Sequence, residues 1–263
     1  QGNSLLEQYE GVDLSDITYN ATKKEKVTGK ILDLFDTGEV ANKKVISLLK
    51  DEFFNCEDHE MKRQIREALK SRIQDLLREK GFGVKLDAIK DVTATDQFFL
   101  WHTWFSEVFE QGGFDIVIGN PPYGAKISEK EKKIFRTCYP ETQFKIDTYS
   151  LFVLNSANLL GKEGACYLII PNTLLDNYFE ELVRMKLLNE NQIVEINDLS
   201  DKVFSTAVVH SMILGFKEGK NKNDYDVKVN VSKKLDDNFN IIKKSFFQKQ
   251  QKCTFSKIGR AHV

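Results

Sequence analysis

Gly113-Phe114-Asp115-Ile116-Val117-Ile118-Gly119-Asn120-Pro121-Pro122-Tyr123 is the stretch that decides how this chain folds. Phe114 to Ile118 is a short apolar run that ends abruptly, the pattern expected of a strand buried on both faces of a parallel sheet. Two consecutive prolines stop it, because each fixes φ and neither carries a backbone N–H. Asn120 stands just before them and Tyr123 just after. In open α/β sheets ligands bind outside the carboxyl ends of the strands, which is where this turn falls.

Working outward, strand and helix patterns alternate. Ser128 to Arg136 reads as helical, and Asp147 to Leu160 as a helix closed by Gly161. Ala165 to Ile170 is a second buried strand stopped by Pro171-Asn172. Asp176 to Leu188 is again helical, Gln192 to Asn197 reads as a strand, and Ala207 to Phe216 as a further β-rich run. This alternation is the signature of a doubly wound α/β sheet. Upstream, Glu39 to Phe54 carries Val40, Val45, Leu48, Leu49 and Phe53 at helical spacing. Asp58 stands where an N-cap is wanted, followed by the stripe Ile65, Leu69, Ile73, Leu76 and Leu77, with Gly81 as the C′ residue. That pair is a helical hairpin, expected as an insertion packed on the main domain rather than as a coiled-coil partner site. After Phe216 the chain turns polar and Lys-rich and yields no readable element.

The chemistry sits in the turn. Asn120 offers an amide oxygen, the prolines leave carbonyls with no N–H beside them, and Tyr123 adds a flat ring. A planar ligand with an exocyclic amino group would require that set. An adenine N6 lone pair is delocalised into the ring and is a poor nucleophile. The Asn120 side-chain oxygen and the Pro121 carbonyl can hold both amino hydrogens, draw the nitrogen toward tetrahedral geometry and stabilise charge as it develops. The plain alternative is a Pro-Pro turn that merely reverses the chain. Asp115 is read as a turn or capping residue, and His102 and His210 as structural.

From Phe98 to Lys217 the sequence resembles the S-adenosylmethionine-dependent amino-methyltransferases of DNA, nearest to the adenine-N6 enzymes of type IIG restriction–modification and phage-defence systems. Phe98-Phe99-Leu100-Trp101, Glu107-Val108-Phe109 and Gly113 to Tyr123 carry the likeness, with Asp147 to Leu160, Ala165 to Leu174 and Val203-Phe204 with Ala207-Val208-Val209 behind them. The resemblance implies a partial Rossmann-like class I methyltransferase sheet, its first strands missing, with a helical insertion. It implies Asn120, Pro121 and Tyr123 as catalytic residues and Phe204 as a second wall of the base pocket. It implies S-adenosyl-L-methionine as cofactor, met by Asn3, Pro122 and Phe152, and double-stranded DNA with a flipped adenine as partner. The Gly-rich loop and the acidic residue of the family's first strands are not visible here. By the same resemblance, residues 1–19 end the cofactor-binding half, 20–95 form the insertion, 96–217 the catalytic core, and 218–257 the start of a target-recognition region. Residues 258–263 look like a translated adapter sequence, so His262 carries no argument, and both ends look cut.

Composition sets the remaining bounds. The 263 residues carry Lys+Arg 38 against Asp+Glu 39, net −1, with 41% apolar and 29% charged residues. That excludes disorder, collagen and a uniformly basic coat, and leaves room for a local basic face. No apolar run approaches the roughly 18 residues of a spanning helix, so no membrane association is expected and the setting is read as cytoplasmic. Cys56, Cys138, Cys166 and Cys253 form no C-x-x-C pair, so no metal site is expected. No Cys follows a Pro, which excludes cytosine-C5 chemistry by residue identity. Cytosine-N4, RNA or protein-amide methylation stay as alternatives, and so does an inactive DNA-binding fragment.

Overall fold

The computed structural model describes residues 3–9, 12–13, 38–79, 98–199, 210–219, 223–230 and 239–255, in two compact units, Gln1–Glu110 and Gln111–Val263. In the first unit the start of the chain is zipped to the aromatic block. Phe99 N–H donates to the Leu6 carbonyl at 2.8 Å, and the Trp101 indole N–H to the Ser4 carbonyl at 2.9 Å. A short antiparallel pair follows, β1 (Gln8–Tyr9) and β2 (Val12–Asp13). The hairpin read from periodicity is present as α1 (Gly38–Asn55) and α2 (His59–Leu77), packed on each other. Asp58 caps α2 by accepting from Met61 N–H at 2.7 Å, and every residue of the stripe from Ile65 to Leu77 is buried. Gly81 lies outside the described residues. Two short helices close the unit, α3 (Trp101–Trp104) and α4 (Ser106–Glu110). His102 is structural, as expected: Nδ1 meets Glu7 Oε2 at 2.6 Å and its ring stacks on Phe109.

The second unit holds a six-stranded sheet of order β3-β4-β6-β5-β7-β8. Its strands are β3 (Phe114–Gly119), β4 (Leu160–Pro171), β5 (Asn191–Leu199), β6 (Ser211–Glu218), β7 (Asp226–Asn230) and β8 (Asn240–Lys243). β3 and β4 run parallel, as do β5 and β7, while β6 runs antiparallel between β4 and β5. The class is α/β as expected, and the sheet is mixed. Among the described residues four α-helices accompany it: α5 (Glu129–Cys138), α6 (Thr148–Leu159), α7 (Glu181–Glu190) and α8 (Lys244–Lys249). Ser128 and Glu131 close a reciprocal capping box on α5. α6 packs on β4 and α7 on β5, covering a face built from Cys166, Leu168, Ile170, Leu214 and Phe216.

Several readings change. β3 is not buried on both faces: it pairs only with β4 among the described residues, and Ile116 and Ile118 are 68% and 76% exposed. Each forgoes the roughly 1.5–3 kcal/mol that full burial would contribute. Gly161 does not close α6 but lies inside β4. Asp115 sits exposed in β3, not in a turn. The stretch from Asp176 starts later than periodicity suggests, because Tyr178–Glu180 form a separate 3-10 turn before α7. β7 and β8 lie in the tail that gave no readable element.

Candidate active site

The turn after β3 leaves the sheet because Pro121 and Pro122 offer no N–H to continue the ladder. The last rung pairs Gly119 with Leu168. One residue further along β4, the Ile169 carbonyl accepts from the Tyr123 hydroxyl at 3.1 Å. The half-buried Tyr123 ring is therefore held at both its ends, by backbone and by phenol, before any ligand arrives. Pro121 is buried under the turn, while Asn120 and Pro122 are exposed. The four residues read as the chemical turn are thus brought together with the amide outward.

Beside Asn120 one face of the sheet forms a shallow depression of about 540 Å³ with an apolar lining of Ile118, Tyr167, Ile169 and Ile213. Its floor is flat because Tyr167 lies across Gly215: a Cβ at 215 would come within 2.5 Å of the ring. Flat apolar surface next to an outward amide suits a planar, partly polar ligand.

α6 supports the turn from below. The Thr148 hydroxyl donates to the Pro122 carbonyl at 2.8 Å and accepts from Ala125 N–H at 3.3 Å. The next two residues reach the loop after β4. Ser150 Oγ donates to Glu180 at 2.7 Å, and the Tyr149 hydroxyl donates to the same carboxyl at 3.2 Å while sharing a hydrogen bond with Thr173. Burial pushes the Glu180 carboxyl above the ordinary Glu range, the two hydroxyl donors opposing it. The fully buried Arg184 then ties that loop down, donating to the carbonyls of Leu174, Asn177 and Lys252.

The expected cofactor residues fall in both units. Pro122 and the half-buried Phe152, on α6, belong to the second unit. Asn3 belongs to the first, where its side-chain oxygen accepts from Leu5 N–H at 3.1 Å. Phe204 lies outside the described residues. Sequence reading missed Thr148, Tyr167 and Ile169; only the hydroxyl run Thr148-Tyr149-Ser150 at a helix start hinted at a polar hub. Among the described residues, no His, Cys, Asp and Glu cluster could hold a metal, and no helix is long and apolar enough to cross a membrane.

A putative type II restriction enzyme and methyltransferase of Methanocaldococcus jannaschii is 33% identical over 117 residues, 44% of this chain and 10% of that protein. A type II methyltransferase of Aneurinibacillus aneurinilyticus is 32% identical over 111 residues, 40% of this chain and 18% of its own length. The chain thus spans under a fifth of the length of these relatives. Among solved structures, the methyltransferase subunit of a type I restriction–modification system from Streptococcus thermophilus superposes with a TM-score of 0.41 at 23% identity, over 64% of this chain and 36% of that one. The model of the Eco57I restriction-modification methylase family matches residues 7–204, and with three quarters of its length inside that match the chain belongs to this family.

Proposed function

We propose that the protein transfers a methyl group from S-adenosyl-L-methionine to the N6 amino group of adenine in a specific DNA sequence, within a restriction–modification system. The observation that carries the reading is the outward Asn120 amide on a proline-stopped strand end, with the Tyr123 ring fixed beside it, in a restriction-modification methylase chain.

S-adenosyl-L-methionine would supply the electrophilic methyl. Pro122 and Phe152 fit it as apolar surface. The chain's own residues do the rest. Asn120 Oδ1 and the Pro121 carbonyl accept the two N6 hydrogens and aim the lone pair, and they stabilise the positive charge that develops on N6. The extra proton leaves to solvent after transfer, so no strong base is needed. Tyr123 stacks on the flipped adenine and offsets part of the few kcal/mol that unstacking costs.

The test is direct. The full-length protein is incubated with methyl-labelled cofactor and DNA, and the DNA is digested to nucleosides. Label in N6-methyladenine is expected; label in cytosine, or none in DNA, overturns the reading.

A further inference from the structure

The turn that carries Tyr123 is closed by a side chain from elsewhere in the fold. In a four-residue turn the first carbonyl and the fourth N–H form the closing hydrogen bond. Here those groups are the Pro122 carbonyl and the Ala125 N–H, and Gly124 at the third position has φ +69. The Thr148 hydroxyl stands between them, donating to Pro122 at 2.8 Å and accepting from Ala125 at 3.3 Å. A hydroxyl can donate and accept at once in this way. Thr148 is only 6% exposed, so solvent does not compete for either bond. Its helix end is fixed in turn by the neighbours Tyr149 and Ser150 on Thr173 and Glu180.

We infer that Thr148 is a positioning residue for methyl transfer: its hydroxyl bridge sets the Pro122–Ala125 turn and so holds the Tyr123 ring and the acceptors of Asn120 and Pro121 in register with the target amine. This inference rests on the methyl-transfer reading above. The bridge has a further consequence for the turn. It commits the Pro122 carbonyl to α6, leaving the Pro121 carbonyl and Asn120 Oδ1 as the pair for the amino hydrogens.

The experiment compares Thr148→Val, Thr148→Ala and Thr148→Ser in the full-length protein. Steady-state kcat and KM are measured for DNA and cofactor, with 2-aminopurine at the target position as a fluorescent report of the flipped base, and with thermal melting. Misplacement of reacting groups by about 1 Å costs on the order of 10²-fold in rate. Thr148→Val and Thr148→Ala are therefore expected to lose roughly 10- to 100-fold in kcat, with KM for DNA within about threefold and an altered 2-aminopurine signal. Thr148→Ser, which keeps the bridge, is expected within about threefold of wild type. A purely structural role would lower the melting temperature and leave kcat and fluorescence unmoved at a permissive temperature. If the Val variant fails to fold, the Ala variant decides by the same readings. A folded hydroxyl-free variant with wild-type kcat overturns the inference, and so does equal loss in the Ser variant. Methyl label on cytosine would sink the adenine reading while the Thr148 ratios are still read on that product. A wild-type protein that transfers no methyl overturns both.

Discussion

Gly113 and Gly161 touch backbone to backbone at the mouth of β3: a Cβ built on Gly113 would lie 2.6 Å from the Gly161 nitrogen, and one on Gly161 would lie 2.9 Å from the Gly113 carbonyl oxygen. Gly113 also has φ +123, where side chains are strained. The contact seats the start of β3 against β4 and so fixes where the strand ends and Asn120 emerges. Gly113→Ala is expected to cost more than Gly161→Ala, each destabilising by roughly 1–3 kcal/mol, the typical cost of overpacking. Chemical denaturation measures it. Wild-type stability for Gly113→Ala would show that the two strands can part without penalty.

That pair also shows what could be read from sequence and what could not. Glycine after a helical stripe is the usual mark of a helix end, and Gly161 reads as one. Its actual reason, a close approach by a residue 48 positions earlier, has no local signature. Local chemistry is legible: Asp58 caps the helix it precedes, and the prolines end β3 where they stand. Burial of β3 was not, because an apolar run looks the same whether neighbours cover it or not. Asp226-Val227-Lys228-Val229-Asn230 does alternate, with Val227 and Val229 buried, but five residues in a Lys-rich tail are too short to stand out. The Thr148–Pro122 bond joins residues 26 apart and was illegible for the same reason as the glycine contact.

Arg184 donates through Nη1 to the Leu174 and Asn177 carbonyls and through Nη2 to the Lys252 carbonyl, with no exposed surface. A lysine carries one donor head and cannot span that fork. Arg184→Lys is expected to destabilise by roughly 3 kcal/mol, since hydrogen bonds from a charged donor contribute about 1.5–3 kcal/mol each and the Leu174 carbonyl it abandons is buried. Thermal melting checks it. An unchanged melting temperature would mean the loop after β4 is held by other contacts.

Glu180 gives a pH dependence of definite sign. Burial raises its folded-state pKa above the ordinary value of 4.5, so the folded protein holds this proton more tightly than the unfolded chain. The stability it contributes is present in full below pH 4.5 and is lost as pH rises through the raised folded value. Glu180→Gln has no such loss. The stability of the variant relative to wild type is therefore expected to improve from pH 4.5 upward and then level off. Paired denaturation curves across that range test it. A difference that stays flat, or moves the other way, would mean the hydroxyls of Ser150 and Tyr149 hold the carboxylate ionised in the fold.

Tyr123 separates two contributions that one residue makes to the proposed reaction. Its ring is available for stacking, and its hydroxyl is committed to the Ile169 carbonyl at 3.1 Å. Tyr123→Phe keeps the ring and loses one neutral hydrogen bond, about 1 kcal/mol, so methylation is expected to slow by about fivefold. Tyr123→Ala also loses the stacking surface, about 1–3 kcal/mol per base, and a further drop of roughly 5- to 150-fold follows. Asn120→Ala removes an acceptor that matters most as charge develops on N6. Its loss is expected in kcat, on the order of 10²-fold or more, with little change in folding because the side chain is exposed. Initial rates with labelled cofactor, beside melting curves, check all three. If Phe and Ala at 123 behave alike, the tether to Ile169 and not the ring sets the rate, and the base must be stacked elsewhere.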